Sequence, residues 1–203
     1  YTAGVSDVTV EAALTRLRQI CCHPALTGAT ARLGSGKFEA FFELLEPLLA
    51  EGHKVLVFSQ FVACLRLLRR ELSQRGVAVH ELTGATTQRE RVVAEFSEDP
   101  RPGVLLISLR AGGTGLNLTA ESYVVLFDPW WNPAVEAQAI DRTHRIGQDR
   151  TVIAYRLLAA GTVEEKIFEL QQRKAAMTRE ILGESALGRS LTREDLEYLF
   201  AEA

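Results

Sequence analysis

Three cysteines, Cys21, Cys22 and Cys64, are all that the 203 residues contain. So few thiols build no disulfide framework, which fits a reducing compartment, cytoplasm or nucleus. No apolar run reaches the roughly 18 residues that a membrane-spanning helix needs, and no signal-peptide layout opens the chain, so no membrane partner is expected. Basic charge is not in excess either: 23 Lys and Arg against 26 Asp and Glu leave a formal net charge of −3, with a pI of about 5.9. No global positive field draws such a chain onto a polyanion; a local basic face stays open. Lysine is rare, with four residues against 19 arginines. Arginine suits planar, bidentate contacts to oxyanions, and genome base composition produces the same bias. Internal repeats and low-complexity tracts are absent.

Several catalytic devices are missing too. "GSGKF" (34–38) imitates a phosphate loop, but the pattern needs glycine at 31, which is Ala31, and a hydroxyl at 38, which is Phe38. No apolar strand precedes it, so the expected role of Lys37 is to open a solvated helix. "CCH" (21–23) has no second ligand pair at zinc spacing, so no metal site is expected. His23 reads as a helix-ending residue and the cysteines as packing residues. His53, His80 and His144 have no acidic or hydroxyl partner at telling spacing, and hydrolytic triads find no support.

Strands alternating with helices are there in number. "KVLVFSQF" (54–61), "VAVHELTG" (77–84), "GVLLIS" (103–108), "SYVVLFD" (122–128) and "TVIAYRLL" (151–158) read as strands. Helical patterns fill 62–76, which ends on Gly76 as a C-cap, then 87–99, 133–146 and 163–182. This rhythm implies an α/β fold with a mostly parallel, doubly wound sheet and helices on both faces. Outside it, 8–22 and 36–51 read as amphipathic helices, the second bent or shortened at Pro47. Residues 24–35 form a small-residue linker, and 192–203 a short acidic helix. The expected division is 1–35, 36–183 and 184–203.

Open parallel sheets bind ligands at the carboxyl ends of their strands, and three of those ends carry unusual residues. "LRAGGTGLNLT" (109–119) has three glycines within four residues, suited to close backbone approach and an anion at a helix start. The enzymatic alternative is dinucleotide binding, with Gly113 and Gly115 opening the fingerprint and Asp128 as the ribose acid; Leu118 stands where its third glycine belongs. In "DPWWNP" (128–133), two adjacent tryptophans cannot both enter one core, so one packs and one is available for a sugar–phosphate backbone or a base. In "QAIDRTHRIGQ" (138–148), Gln138, Arg142 and Arg145 fall within roughly 60° of one helix face. Guanidinium forks match phosphate oxygens. The competing reading is a solvated, salt-bridged helix with Asp141 and Glu136 as partners.

From about Leu17 to Ile167 these strings, in this order, resemble the second RecA-like lobe of SWI/SNF-type ATPases within the superfamily 2 helicases. "LRQICCHPAL" resembles the segment that introduces this lobe. "KVLVFSQF" resembles motif IV, and "ELTGATTQRER" the segment after it. "ISLRAGGTGLNLT" resembles motif V, and "QAIDRTHRIGQ" motif VI. Leu109 departs from the more usual threonine, removing one hydroxyl. The resemblance implies a RecA-like three-layer fold with extra flanking helices, in a double-stranded-DNA-stimulated ATPase that translocates on duplex DNA. ATP and Mg2+ would be held mainly by an N-terminal lobe carrying the phosphate loop. Arg145 would be the arginine finger, Arg142 its partner and Gln138 their support, with Gly115 and Asn117 touching the nucleotide. Ser59, Gln60, Thr83, Gly84, Ser108, Arg110, Gly112 and Trp131 would grip DNA phosphates and sugars. Implied partners are duplex DNA, the N-terminal lobe and a DNA-bound protein to be remodelled. The implied location is the nucleoid of a bacterium or a eukaryotic nucleus. The fragment alone would hydrolyse no ATP; its structural alternative is a simple DNA- or protein-binding module.

Overall fold

The computed structural model describes residues 7–29, 33–108, 123–130, 136–137, 152–181 and 192–200. Five strands, β1 (Lys54–Ser59), β2 (Ala78–Leu82), β3 (Gly103–Ser108), β4 (Tyr123–Leu126) and β5 (Ile153–Arg156), form one sheet in the order β2-β3-β1-β4-β5. Every pairing is parallel, with Val57 opposite both Leu106 and Val125 at the centre. The helices are α1 (Asp7–Cys22), α2 (Gly36–Ala50), α3 (Val62–Gln74), α4 (Arg89–Glu98), α5 (Val163–Ile181) and α6 (Arg193–Phe200), with a 3-10 turn at Pro24–Thr27. The α/β class and the parallel sheet are as the sequence implies. Of the helix expected over 133–146, only Glu136 and Ala137 are described, and both are helical.

Alternation along the strands separates two cores. Val55, Val57, Val104, Leu106, Val125 and Phe127 point to one face, where Phe38, Phe41, Phe42 and Leu45 of α2 and Cys64, Leu65, Leu68 and Leu72 of α3 cover them. Leu56, Phe58, Leu105, Ile107, Val124 and Leu126 point to the other, with Phe96 of α4 and Trp130. Central strands buried on both faces explain why they read as continuous apolar runs. At Gly103 a Cβ would lie 2.6 Å from the Ala78 carbonyl oxygen, so only glycine lets β2 and β3 pair there. Gly76 takes φ 73° after α3, and Val77 N–H returns to the Leu72 carbonyl at 3.0 Å, closing the helix as expected.

The flanks are integrated into the fold. Leu14 of α1, Ile167 and Leu170 of α5 and Leu199 of α6 form a third apolar cluster. Ser35 caps α2 through Phe38 N–H and donates to the Cys22 carbonyl at 2.8 Å, tying α1 to α2. Pro47 lies inside α2, which continues to Ala50.

Candidate functional site

Because all five strands run the same way, their carboxyl ends share one edge. The order β2-β3-β1-β4 lines up Thr83, Ser108, Ser59 with Gln60, and Asp128, and Ser59 pairs in register with Ser108. Asp128 is fully buried two residues beyond the end of β4. The Ser59 hydroxyl donates to one of its oxygens. Gln60 reaches the other through its side-chain amide at 2.5 Å and its backbone N–H at 3.4 Å. Burial lifts the Asp128 pKa above the usual carboxylate range, opposed by the Ser59 bond, the Arg18 charge and the Gln60 bond. The Pro129 carbonyl then accepts from Gln60 at 3.0 Å and from Arg18 at 2.6 Å.

Arg18, on α1, is buried, 5.6 Å from the Phe61 ring centroid, and its Nε has no partner. Desolvation lowers its pKa, and the facing Asp128 opposes that shift. Trp130 is 2% exposed and meets the Phe58 ring edge-on at 6.0 Å, so it is packed into the core. Its backbone N–H donates to Glu136 at 3.4 Å. Glu136 is buried and held by Arg156 of β5, whose Nε donates at 2.7 Å. Glu136 is therefore not the solvated partner that the salt-bridged reading of the arginine helix required.

Three expectations change. Ser59, expected to face DNA, is completely buried at the end of β1 with its hydroxyl committed to Asp128. Lys37 opens no solvated helix: it forms a buried ion pair with Glu164, whose carboxylate also accepts from Ala159 N–H at 3.0 Å. Burial raises the Glu164 pKa and the Lys37 charge opposes it. Asp128 cannot serve as a ribose acid, since it is enclosed and both oxygens are occupied, which removes the main support for dinucleotide binding.

Among the other expected DNA contacts, Thr83 is buried in a turn, its N–H donating to Thr86 Oγ1 at 3.0 Å, and the next residue, Gly84, is exposed. Ser108 is buried with an unpartnered hydroxyl at the foot of the glycine-rich segment. Arg110, Gly112, Gly115, Asn117, Trp131, Gln138, Arg142 and Arg145 lie outside the described residues. Arg18, Arg156 and the Lys37–Glu164 pair escaped sequence reading, and Glu136 entered it only as a solvated partner. For Arg18 a signal existed: with Leu14 and Cys22 it occupies one helical stripe at i, i+4 and i+8, and the stripe is buried.

Comparison with known proteins agrees with this geometry. The helicase conserved C-terminal domain family matches residues 36–147. DNA repair protein RAD5A of Arabidopsis thaliana is 46% identical over 168 residues, 82% of this chain and 16% of that protein. The putative ATP-dependent helicase/translocase YwqA of Bacillus subtilis is 40% identical over 195 residues, 92% of this chain and 21% of that protein. The chain thus spans about a fifth or less of these relatives. The Sulfolobus solfataricus SWI2/SNF2 ATPase core in complex with dsDNA superposes with a TM-score of 0.79 at 32% identity, covering 100% of this chain and 44% of that one. The C-terminal domain of the same ATPase gives 0.72 at 28% identity, covering 97% and 84%. The RecA-like sheet and the matched helicase domain show that the chain belongs to the SWI2/SNF2 family of helicase-type ATPases, of which it is a C-terminal lobe.

Proposed function

We propose that this lobe works as the second half of a double-stranded-DNA-dependent ATPase that translocates along duplex DNA. The observation that carries the reading is the likeness of the whole chain to a SWI2/SNF2 core solved with dsDNA, of which it covers under half. ATP would sit between this lobe and an N-terminal one. The partner lobe would supply the phosphate loop and hold Mg2+. Here Arg145 would neutralise charge on the transferring phosphoryl group, with Arg142 and Gln138 beside it and Gly115 and Asn117 against the nucleotide.

On the DNA side, Gln60, Gly84, Arg110, Gly112 and Trp131 would meet phosphates and sugars, with Thr83 and Ser108 at the base of the groove. Ser59 and Gln60 act by holding Asp128 and the segment that leads to Trp131. Such contacts read duplex shape and charge, not base sequence. The motor would act inside the cell, on a protein bound to DNA.

The test compares ATP hydrolysis by this chain alone with hydrolysis by the protein that joins it to its N-terminal lobe. The chain alone should show no turnover with or without duplex DNA. The two-lobe protein should turn over, and faster with DNA. DNA-stimulated hydrolysis by the pure isolated chain would overturn the two-lobe reading; a two-lobe protein indifferent to duplex DNA would overturn the DNA dependence.

A further inference from the structure

The segment Asp128–Trp130 leaves the sheet without strand pairing to guide it. The β4 ladder ends at Leu126, and the last backbone bond on the β1 side is Phe127 N–H to the Phe58 carbonyl at 2.9 Å. Beyond that, side chains fix the backbone: Ser59 and Gln60 on Asp128, Gln60 and Arg18 on Pro129, Glu136 on Trp130. Three of these residues come from inside the matched helicase domain or its strand ends. Arg18 does not; it lies on α1, upstream of residues 36–147.

Anchoring α1 does not require a buried cation. Leu14 and Cys22 of the same stripe bury without charge, and apolar groups of similar volume replace buried ions with little loss or even a gain in stability. What the guanidinium adds is direction: a 2.6 Å bond to one carbonyl oxygen and a charge facing one carboxylate. Both lie within two residues of Trp130, and α1 itself rests on α5 and α6.

We propose that Arg18 is a positioning residue for the segment Asp128–Trp130, setting from α1 how that segment leaves the sheet at the DNA-facing edge. The functional half of this statement rests on the DNA-dependent ATPase reading above; the positional half does not. α1 is then part of the site, and a shift of the α1–α5–α6 cluster reaches the segment through one guanidinium.

Trp130 and Trp131 are the only tryptophans of the chain, so its intrinsic emission reports on this segment directly. Three variants separate position from stability. Arg18→Met removes the bond and the charge. Arg18→Met with Asp128→Asn also removes the uncompensated carboxylate, the buried group that most threatens folding of the single variant. Arg18→Lys keeps the charge without the fork. The double variant should melt cooperatively, yet its emission should shift to the red and acrylamide should quench it more readily. Arg18→Lys should lie between it and the parent. In the two-lobe protein the DNA concentration giving half-maximal stimulation should rise about tenfold, the loss of roughly one stacking contact.

Parent-like emission and quenching in a folded double variant, or in Arg18→Lys should neither Met variant fold, would overturn the positioning role and leave Arg18 as an anchor of α1. Altered emission with unchanged DNA half-saturation would overturn its link to DNA. A parent two-lobe protein that ignores DNA would instead refute the functional reading, with the emission experiment still deciding what Arg18 holds.

Discussion

The body of the sheet and its carboxyl edge are built on different physics. In the body, apolar residues of β1, β3 and β4 alternate between two cores, and every large side chain is enclosed by others of its kind. At the edge, the ionisable side chains of Asp128, Arg18 and Glu136 are buried and bound to hydroxyls, amides, backbone carbonyls and the more exposed Arg156. Non-directional burial suffices to make a stable sheet. Holding a segment at one place requires directional bonds, and these concentrate around Asp128–Trp130, where the chain leaves β4.

The largest effect expected from breaking this division is chemical. In the two-lobe protein, Arg145→Ala should lower turnover by about 10³–10⁵ while ATP affinity stays near the parent's, because an arginine finger acts on transition-state charge. Arg145→Lys should recover little, lacking the planar fork. Steady-state hydrolysis and nucleotide binding measured on the same preparations check this. If turnover and affinity fell in equal proportion, Arg145 would be a binding residue.

Within the body, Phe41→Ala should cost about 3–5 kcal/mol, since Phe41 is fully buried between Phe42 and Phe127. Denaturant unfolding reads the loss. A similar cost, about 3–5 kcal/mol, is expected for Lys37→Met, which strands Glu164 as a buried carboxylate. Here the two cases part: adding Glu164→Gln should restore most of the stability lost at Lys37, whereas no single neighbour restores Phe41. Failure of that rescue would show that the pair is held for packing alone. Smallest of all is Arg91→Ala, which removes an exposed i,i+4 pair with Glu95 worth about 0.3–0.5 kcal/mol.

The same contrast decides what a sequence reveals. Periodicity made the strands and the two-faced core legible, because burial leaves a pattern of period two or of continuous apolar runs, and the alternation of strands with helices made the parallel sheet legible. It also located Gly76 as a cap. Strand ends were overestimated: 54–61 became Lys54–Ser59 and 77–84 became Ala78–Leu82. The reason is local at β1, where Ser59 Oγ accepts Phe61 N–H at 3.1 Å and turns the chain out of the sheet. The polar pairs were not legible. Lys37 meets Glu164 across 127 positions and Arg18 meets Pro129 across 111, and nothing local marks such partners. A lysine after glycine and serine looks solvated until the fold brings a carboxylate to it.

The tryptophan pair tests the difference between body and edge most directly. Trp130 belongs to the core beneath the edge, so Trp130→Ala should open a cavity and cost about 3–5 kcal/mol. Trp131, assigned to DNA, should behave otherwise. Thermal melts of Trp131→Ala, paired with DNA-stimulated hydrolysis of the two-lobe protein across a salt series, are the decisive measurement. The expected result is a near-parental melt with DNA affinity weakened by about 1–3 kcal/mol and still salt-sensitive. A melt lowered by as much as that of Trp130→Ala, or unimpaired DNA stimulation, would contradict the assignment of this edge to DNA.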